Sequence, residues 1–170
     1  KKRIGIFGGS FDPPHLGHLK ISKLAIKKIY LDEIYWCVTE KNPLKKKSFF
    51  SLSERIKKSK EITKNIKKIK IKFFEDKVKS TNTIDLIKYL KIKSKKNIFF
   101  LIIGSDNLIK FHKWKSWKLL PILTKIVVFS RKDFDKKAKK SVIMKFVKDI
   151  KFIKNKPINI SSTEIRKKIL

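Results

Sequence analysis

The sequence predicts an α/β fold: a doubly wound parallel sheet, Rossmann-like, in a single domain over residues 1–170. Three observations predict it. Short apolar runs alternate with amphipathic stretches along the chain, giving at least five strand–helix units. The runs Ile34–Val38 and Ile98–Ile103 are apolar without a polar alternate, as suits strands covered on both faces. No linker, internal repeat or second composition regime divides the chain.

The first strand is Arg3-Ile4-Gly5-Ile6-Phe7. It leads into Gly8-Gly9-Ser10-Phe11-Asp12-Pro13-Pro14-His15-Leu16-Gly17-His18. Gly8 and Gly9 permit a tight turn and close approach of a ligand to the backbone. Pro13 and Pro14 stiffen the loop and keep the residues before them out of helical angles. His15 and His18 stand three apart at a helix start, so they share a face beside free N–H groups that attract phosphate. As a zinc pair they are poorly furnished, with no nearby Cys or carboxylate pair.

A helix follows from about Leu16 to Ile29, with Leu19, Leu24 and Ile26 inward and Lys20, Lys23, Lys27 and Lys28 toward water. After the strand Ile34–Val38, the polar loop Thr39–Phe50 lies at the carboxyl end of the sheet, where open α/β folds bind ligands. Ser51 and Glu54 have capping-box spacing and open a helix to about Thr63. Ile69–Phe74 alternates and reads as a strand near a sheet edge. Ser80-Thr81-Asn82-Thr83 caps a helix through about Ile92.

The strand Ile98–Ile103 is central and ends in Gly104-Ser105-Asp106, a second glycine turn into a helix start. Phe111–Lys118 reads as a short polar helix bearing Trp114 and Trp117, with His112 on the surface and Pro121 ending the helix. Ile126–Phe129 is a fifth strand, Phe134–Lys148 an amphipathic helix, and Ile150–Ile160 a short strand region. Near the end of the chain, Ser161-Ser162-Thr163-Glu164-Ile165-Arg166 brings hydroxyls, free N–H groups and one guanidinium to a helix start. That is a phosphate clamp on physical grounds.

The formal net charge is +32, from 46 basic and 14 acidic residues. Every basic residue is Lys except Arg3, Arg55, Arg131 and Arg166. The Lys are spread along the whole chain, and Lys, Ile and Phe are abundant while Ala is nearly absent, a pattern of AT-rich codon usage. The charge therefore describes a solvated surface that attracts anionic substrates; specific nucleic-acid recognition is not expected, since Arg is scarce and no stacking platform is present. No apolar run is long enough to span a bilayer. Basic residues lead directly into the first strand with no secretory leader, and the single Cys37 allows no internal disulfide, so a reducing cytoplasm is expected.

The opening motif resembles the H-x-G-H signature of the nucleotidyltransferase superfamily, and in its wider form G-G-S-F-D-P-x-H-x-G-H it resembles the bacterial nicotinate-nucleotide adenylyltransferases. Neither the dinucleotide fingerprint nor a P-loop is present. The resemblance covers nearly the whole chain, including the I-S-S-T-x-I-R segment. It implies adenylyl transfer from ATP to nicotinate mononucleotide, with Mg²⁺ bridging phosphates. His15, His18 and Lys45 are then the catalytic candidates. Asn42-Pro43-Leu44-Lys45 matches the family's Pro-Pro-His-Lys-like segment at Pro43 and Lys45 only, and Lys46 or Lys47 remains open for the phosphate role.

ATP is expected against Gly8, Gly9, Ser10, Phe11, His15, Gly17, His18, Gly104, Asp106, Arg131, Ser161, Thr163 and Arg166. The nicotinate nucleotide is expected against Ser80, Thr81, Thr83, Trp114 and Lys115, with Trp114 stacking on the pyridine ring and Trp117 as packing. Arg55 is open between a phosphate contact and a surface ion pair. The alternatives are phosphopantetheine adenylyltransferase, which shares the first motif, and a basic nucleic-acid-binding domain. The sequence leaves open assembly as a homo-oligomer and any preference for the nicotinate over the nicotinamide nucleotide.

Overall fold

The computed structural model describes residues 1–40, 47–155 and 161–169. In chain order the elements are β1 (Arg3–Gly9), α1 (Leu16–Lys28), β2 (Glu33–Val38), α2 (Leu52–Thr63), β3 (Ile69–Lys72), α3 (Glu75–Val78) and α4 (Thr83–Lys93), then β4 (Ile98–Gly104), α5 (Ser105–Ile109), α6 (Leu120–Leu123), β5 (Lys125–Phe129), α7 (Asp135–Lys139), β6 (Lys151–Ile153) and α8 (Ser162–Ile169). No helix among the described residues is long and apolar enough to cross a membrane.

The strands form one sheet in the order β3-β2-β1-β4-β5-β6, and every pairing is parallel. The chain winds outward from β1 to β3, returns to lay β4 beside β1, and winds outward again. The crevice for a ligand opens where these two directions part, at the carboxyl ends of β1 and β4.

Alternation along β4 builds a core on each face, because successive side chains point to opposite sides. Phe99, Leu101 and Ile103 pack with Ile84 and Ile87 of α4 and with Leu108 of α5. Phe100 and Ile102 pack with Leu19 and Ala25 of α1 and with Trp36 of β2. Gly5 makes room on that second face: a Cβ there would meet Ile102 Cδ1 and Leu31 Cδ1 at 2.8 Å.

Ser51 and Glu54 close the capping box over α2, each side chain accepting from the other's backbone N–H at 3.2 Å. That box fixes the first turn of α2 and turns Arg55 inward, contrary to both sequence expectations for it. Arg55 is 1 % exposed. Its guanidinium donates to the carbonyls of Phe50 (3.1 Å), Ser10 (2.8 Å), Thr39 (2.7 Å) and Glu40 (2.9 Å). It thereby ties the loop after β1 to the end of β2 and the start of α2. Asp12, also buried, accepts from the backbone N–H groups of Phe49 (2.7 Å) and Phe50 (2.8 Å) and completes the join.

Other differences from the sequence reading have local causes. β3 stops at Lys72, and the unforeseen α3 follows it. Phe111–Lys113 is a single 3₁₀ turn, and the backbone leaves it at Trp114 in an extended conformation. Pro121 sits in the first turn of α6 rather than ending a helix, where its missing N–H and fixed φ do no harm. The expected helix Phe134–Lys148 divides into α7 and a 3₁₀ turn at Val142–Lys145. Ser141 is extended between them and donates its hydroxyl to Ala138 O at 2.6 Å. Of the expected strand Ile150–Ile160, β6 occupies Lys151–Ile153, and residues 156–160 lie outside the described part.

Replacing Arg55 by Met removes the donors from four carbonyls at a buried position. Urea unfolding of that variant is expected to show a stability loss of about 3–5 kcal/mol at unchanged m-value; a loss below about 1 kcal/mol would contradict the joining role.

Candidate active site

Gly8, Gly9 and Gly104 are extended residues at the ends of β1 and β4 rather than the turns the sequence suggested, and with the starts of α1, α4, α5 and α8 they meet at one cavity of about 820 Å³ at the carboxyl end of the sheet. Its middle is built by the β1–α1 connection. His15 is the N-cap of α1, extended at φ −150° and ψ 178°, and its Nδ1 accepts from Gly17 N at 3.0 Å. His18 reaches back, its Nδ1 accepting from His15 N at 3.0 Å. Two imidazoles thus form the reciprocal cap that Ser and Glu usually make.

Each Nδ1 is an acceptor of a backbone N–H, so the neutral ring carries its proton on Nε2. The two rings lie 4.0 Å apart. Beneath His18 are Phe11 at 4.8 Å and Trp36 at 5.8 Å. Burial first, then the neighbouring His15 and the Arg131 charge, hold His18 down at about 3 from an ordinary 6.5. Burial and Arg131 lower His15 in the same direction. His18 therefore presents a neutral imidazole N–H donor at physiological pH, and His15 is shifted toward the same state.

Phe11 supports this arrangement from below. Its ring stacks on Trp36 at 4.7 Å and 11°, it is 2 % exposed, and its backbone adopts φ 48°. The positive φ of a bulky residue is strained and is held by the surrounding packing. Phe11 therefore forms part of the wall of the cavity, with its ring packed into the core. Trp36 Nε1 donates to Ser22 Oγ at 2.8 Å, and Ser22 Oγ donates to His18 O at 2.8 Å, so this floor is pinned to the first turns of α1.

The end of the chain closes over its beginning. Ser162 Oγ donates to Pro13 O at 2.7 Å. Arg166 donates to Asp12 O through a short hydrogen bond, approaches Asp12 Oδ2 at 3.9 Å, and donates to Thr163 Oγ1 at 3.1 Å. Ser161 Oγ accepts from Glu164 N at 3.1 Å, half of the expected capping box. The hydroxyl-rich start of α8 thus stands beside the start of α1.

On one side of this centre, Ser80 Oγ accepts from Asn82 N at 3.0 Å and donates to Asp85 Oδ2 at 2.7 Å. Asn82 is the N-cap of α4 but makes no side-chain cap bond, contrary to the capping expected of this cluster. On the other side, Gly104 is required by close approach: a Cβ there would run into Asp106 Oδ1 and the Phe129 ring. Arg131 Nε lies 3.6 Å from Asp106 Oδ1, an ion-pair distance that leaves that buried oxygen without a hydrogen bond.

Of the residues singled out from the sequence, Gly8, Gly9, Ser10, Phe11, His15, Gly17, His18, Ser80, Thr81, Thr83, Gly104, Asp106, Trp114, Arg131, Ser161, Thr163 and Arg166 all line the cavity. Lys115 is not among them and is engaged outside, 3.6 Å from Asp85 Oδ2. Lys45 lies outside the described residues. His112, expected on the surface, is half-buried with its Nδ1 unpartnered, and Trp117 packs on Phe146 at 5.3 Å.

Sequence reasoning missed Glu75 and Asn155, which also line the cavity. Glu75 accepts from Thr39 Oγ1 at 2.6 Å and from Glu40 N at 2.8 Å, fixing the end of β2. Neither residue stands in a motif, so no local signal marked them. Among the described residues no group of three His, Cys, Asp or Glu side chains is arranged to hold a metal ion.

The cytidylyltransferase-like family model matches residues 6–168. A curated relative from Pelagibacter ubique, named "Probable nicotinate-nucleotide adenylyltransferase", is 47% identical over 169 residues, covering 98% of this chain and 93% of its own. A relative of the same name from Rhizobium meliloti is 35% identical over 129 residues, covering 75% of this chain and 68% of its own. Among solved structures, the Plasmodium falciparum nicotinic acid mononucleotide adenylyltransferase complexed with NaAD matches with a TM-score of 0.79 at 25% identity, over 98% of this chain and 83% of that one.

Stability should depend on pH through the histidines. His18 has a lower pKa folded than unfolded, so the unfolded chain binds the extra proton between about 6.5 and about 3. The stabilisation is full above 6.5 and is lost as pH falls through that window, at up to about 1.4 kcal/mol per pH unit from this ring. Urea titrations between pH 7 and about 4.5 are expected to show that slope reduced in His18→Gln; equal slopes in the two proteins would contradict it.

Proposed function

The chain belongs to the cytidylyltransferase-like family, among the nicotinate-nucleotide adenylyltransferases, and from that premise we infer how its own residues carry the reaction. It transfers the adenylyl group of ATP to nicotinate mononucleotide, giving nicotinate adenine dinucleotide and pyrophosphate in NAD biosynthesis. A 5′-phosphate oxygen of the mononucleotide bonds to the α-phosphorus, and the bond from that phosphorus to the bridging oxygen of pyrophosphate breaks. The nucleophile is already an anion, so no side chain has to be activated. The protein aligns two polyanions and neutralises charge that moves onto the leaving group.

The observation that carries the residue assignment is the paired-imidazole cap. Nε2–H of His18 donates to the α-phosphate as charge develops there, and His15 and Ser10 orient the triphosphate. A neutral donor suits this role, because its proton sits in place at every working pH and no charge has to be desolvated first. Ser161, Thr163 and Arg166 hold the outer phosphates. Arg166 is well placed for this because its contact with Asp12 already holds it at the mouth of the β1–α1 loop. Lys45 is assigned the same phosphates on the strength of the family segment alone. A divalent cation, which we take to be Mg²⁺, would accompany ATP, would supply neutralisation of the triphosphate charge, and would need few protein ligands.

Ser80, Thr81 and Thr83 lie at the α4 start, an anion-favouring end that suits a pyridine carboxylate, with Trp114 offering a ring to stack on. Lys115 acts there through Asp85, by neutralising a carboxylate that would repel the substrate's own. Asp106 takes the ribose of ATP and Arg131 borders its base. The reaction's place is the cytoplasm, where these soluble nucleotides are pooled.

The test is pyrophosphate release with ATP and each acceptor in turn. Nicotinate mononucleotide is expected to support it and phosphopantetheine not. His18→Ala is expected to fold and to lose about 10²-fold or more in kcat. Turnover at the unmodified rate in that variant would overturn the donor role.

A further inference from the structure

We propose that Asn155 reads the base of the triphosphate, its side-chain carbonyl accepting a hydrogen bond from the exocyclic amine of adenine. The inference rests on the adenylyl-transfer reading above. Asn155 follows β6 and lines the main cavity. Its Oδ1 is buried and has no hydrogen-bond partner. A buried acceptor left unpaired is unfavourable, and a ligand that brings a donor relieves that cost on binding.

The strand order says which half of the ligand reaches it. The cavity runs across the carboxyl ends of the sheet, from Thr39 after β2 and Glu75 after β3 to Arg131 after β5 and Asn155 after β6. The histidine pair after β1 lies between, so the reacting phosphates occupy the middle and one nucleoside extends to each side. Ser80, Thr81 and Thr83, which follow β3 in the chain, take the pyridine side. The β4–β5–β6 side is left for adenosine.

On that side, among the described residues, two buried side-chain oxygens of the cavity wall lack hydrogen-bond partners, Asp106 Oδ1 and Asn155 Oδ1. Adenosine has two kinds of donor, its ribose hydroxyls and its amine. Asp106 follows β4, directly beside β1 and the phosphates, and suits the ribose. Asn155 follows β6, two strands further out, which is about 10 Å at ordinary strand spacing. That is the order of the distance from a ribose to the far edge of its purine. Ser130 N donates to Ile153 O at 2.9 Å, so the ends of β5 and β6 leave the sheet side by side and bring Arg131 and Asn155 to the same wall.

A carboxamide can turn over and donate to a purine carbonyl instead, so a comparison of ATP with GTP would confuse two effects. Purine riboside 5′-triphosphate, which has hydrogen in place of the amine, isolates the proposed bond. With nicotinate mononucleotide as acceptor, the unmodified enzyme is expected to favour ATP over this analogue by about tenfold or more in kcat/KM. Asn155→Leu is expected to bring the ratio to within about twofold by raising the KM for ATP, with the KM for the mononucleotide held. Equal use of both triphosphates by the unmodified enzyme would overturn the proposal without any variant. An undiminished preference in a cooperatively folded Asn155→Leu would overturn it as well. Failure of both triphosphates to react would instead overturn the adenylyl-transfer reading, and the inference with it.

Discussion

Arg55 is the constraint on which the site depends. One buried guanidinium holds the carbonyls of Ser10, Thr39, Glu40 and Phe50, three segments that local structure alone would leave independent. A Lys could not do this, because a point charge lacks the planar fork of donors. Asp12 adds the N–H groups of Phe49 and Phe50 and receives Arg166 from α8. The loop that carries the histidines is therefore tied on one side to β2 and α2, and on the other to the far end of the chain. A site that must bind polyanions thus uses two of its scarce arginines on protein oxygens, and one of them, Arg166, also lines the cavity.

The chemistry follows from what that frame holds still. The start of α1 has orphan N–H groups, and the ring nitrogens of His15 and His18 satisfy two of them. The same bonds that cap the helix decide which nitrogen of each ring is protonated. In the proposed mechanism capping and catalysis are one interaction: the backbone uses the acceptor at Nδ1, and the proposed role uses the donor at Nε2. The aromatic floor of Phe11 and Trp36 keeps the His18 ring neutral by excluding water. Phe11 holds a strained backbone angle to reach that place, which is the kind of local cost that a binding site sustains and a bare turn does not.

How much of this could be read from the sequence depended on range. Contacts within a few residues were legible: the Ser51–Glu54 box, the His15–His18 spacing, and the Ser161 cap of the last helix. So were the central strand Ile98–Ile103 and the edge strand at Ile69, because burial on two faces and on one leaves different patterns. Long-range polar contacts were not legible. Nothing near Arg55 tells it apart from other basic residues at a helix start, and its partners are backbone atoms, which leave no trace in side-chain identity. Glu75 and Asn155 enter the cavity only because β3 and β6 end there. Lys115 follows Trp114 in the chain, and nothing in its neighbourhood shows that Asp85 on α4 stands opposite it. The helix expected over Phe134–Lys148 failed for a similar reason: Ser141 has a local acceptor at Ala138 O, and Ile143 gains a fully buried place by leaving the helix.

Before any substrate arrives, His18 is a neutral imidazole with its proton on Nε2, and the donor chemistry of the site rests on that state. Nitrogen-15 NMR of histidine-labelled protein tests it directly, since protonated and unprotonated ring nitrogens resonate far apart. His18 is expected to show a protonated Nε2 and an unprotonated Nδ1, unchanged between pH 8 and about 5, as follows for a ring held at about 3. A His18 ring that titrates near its ordinary 6.5, or that carries its neutral-form proton on Nδ1, would contradict it.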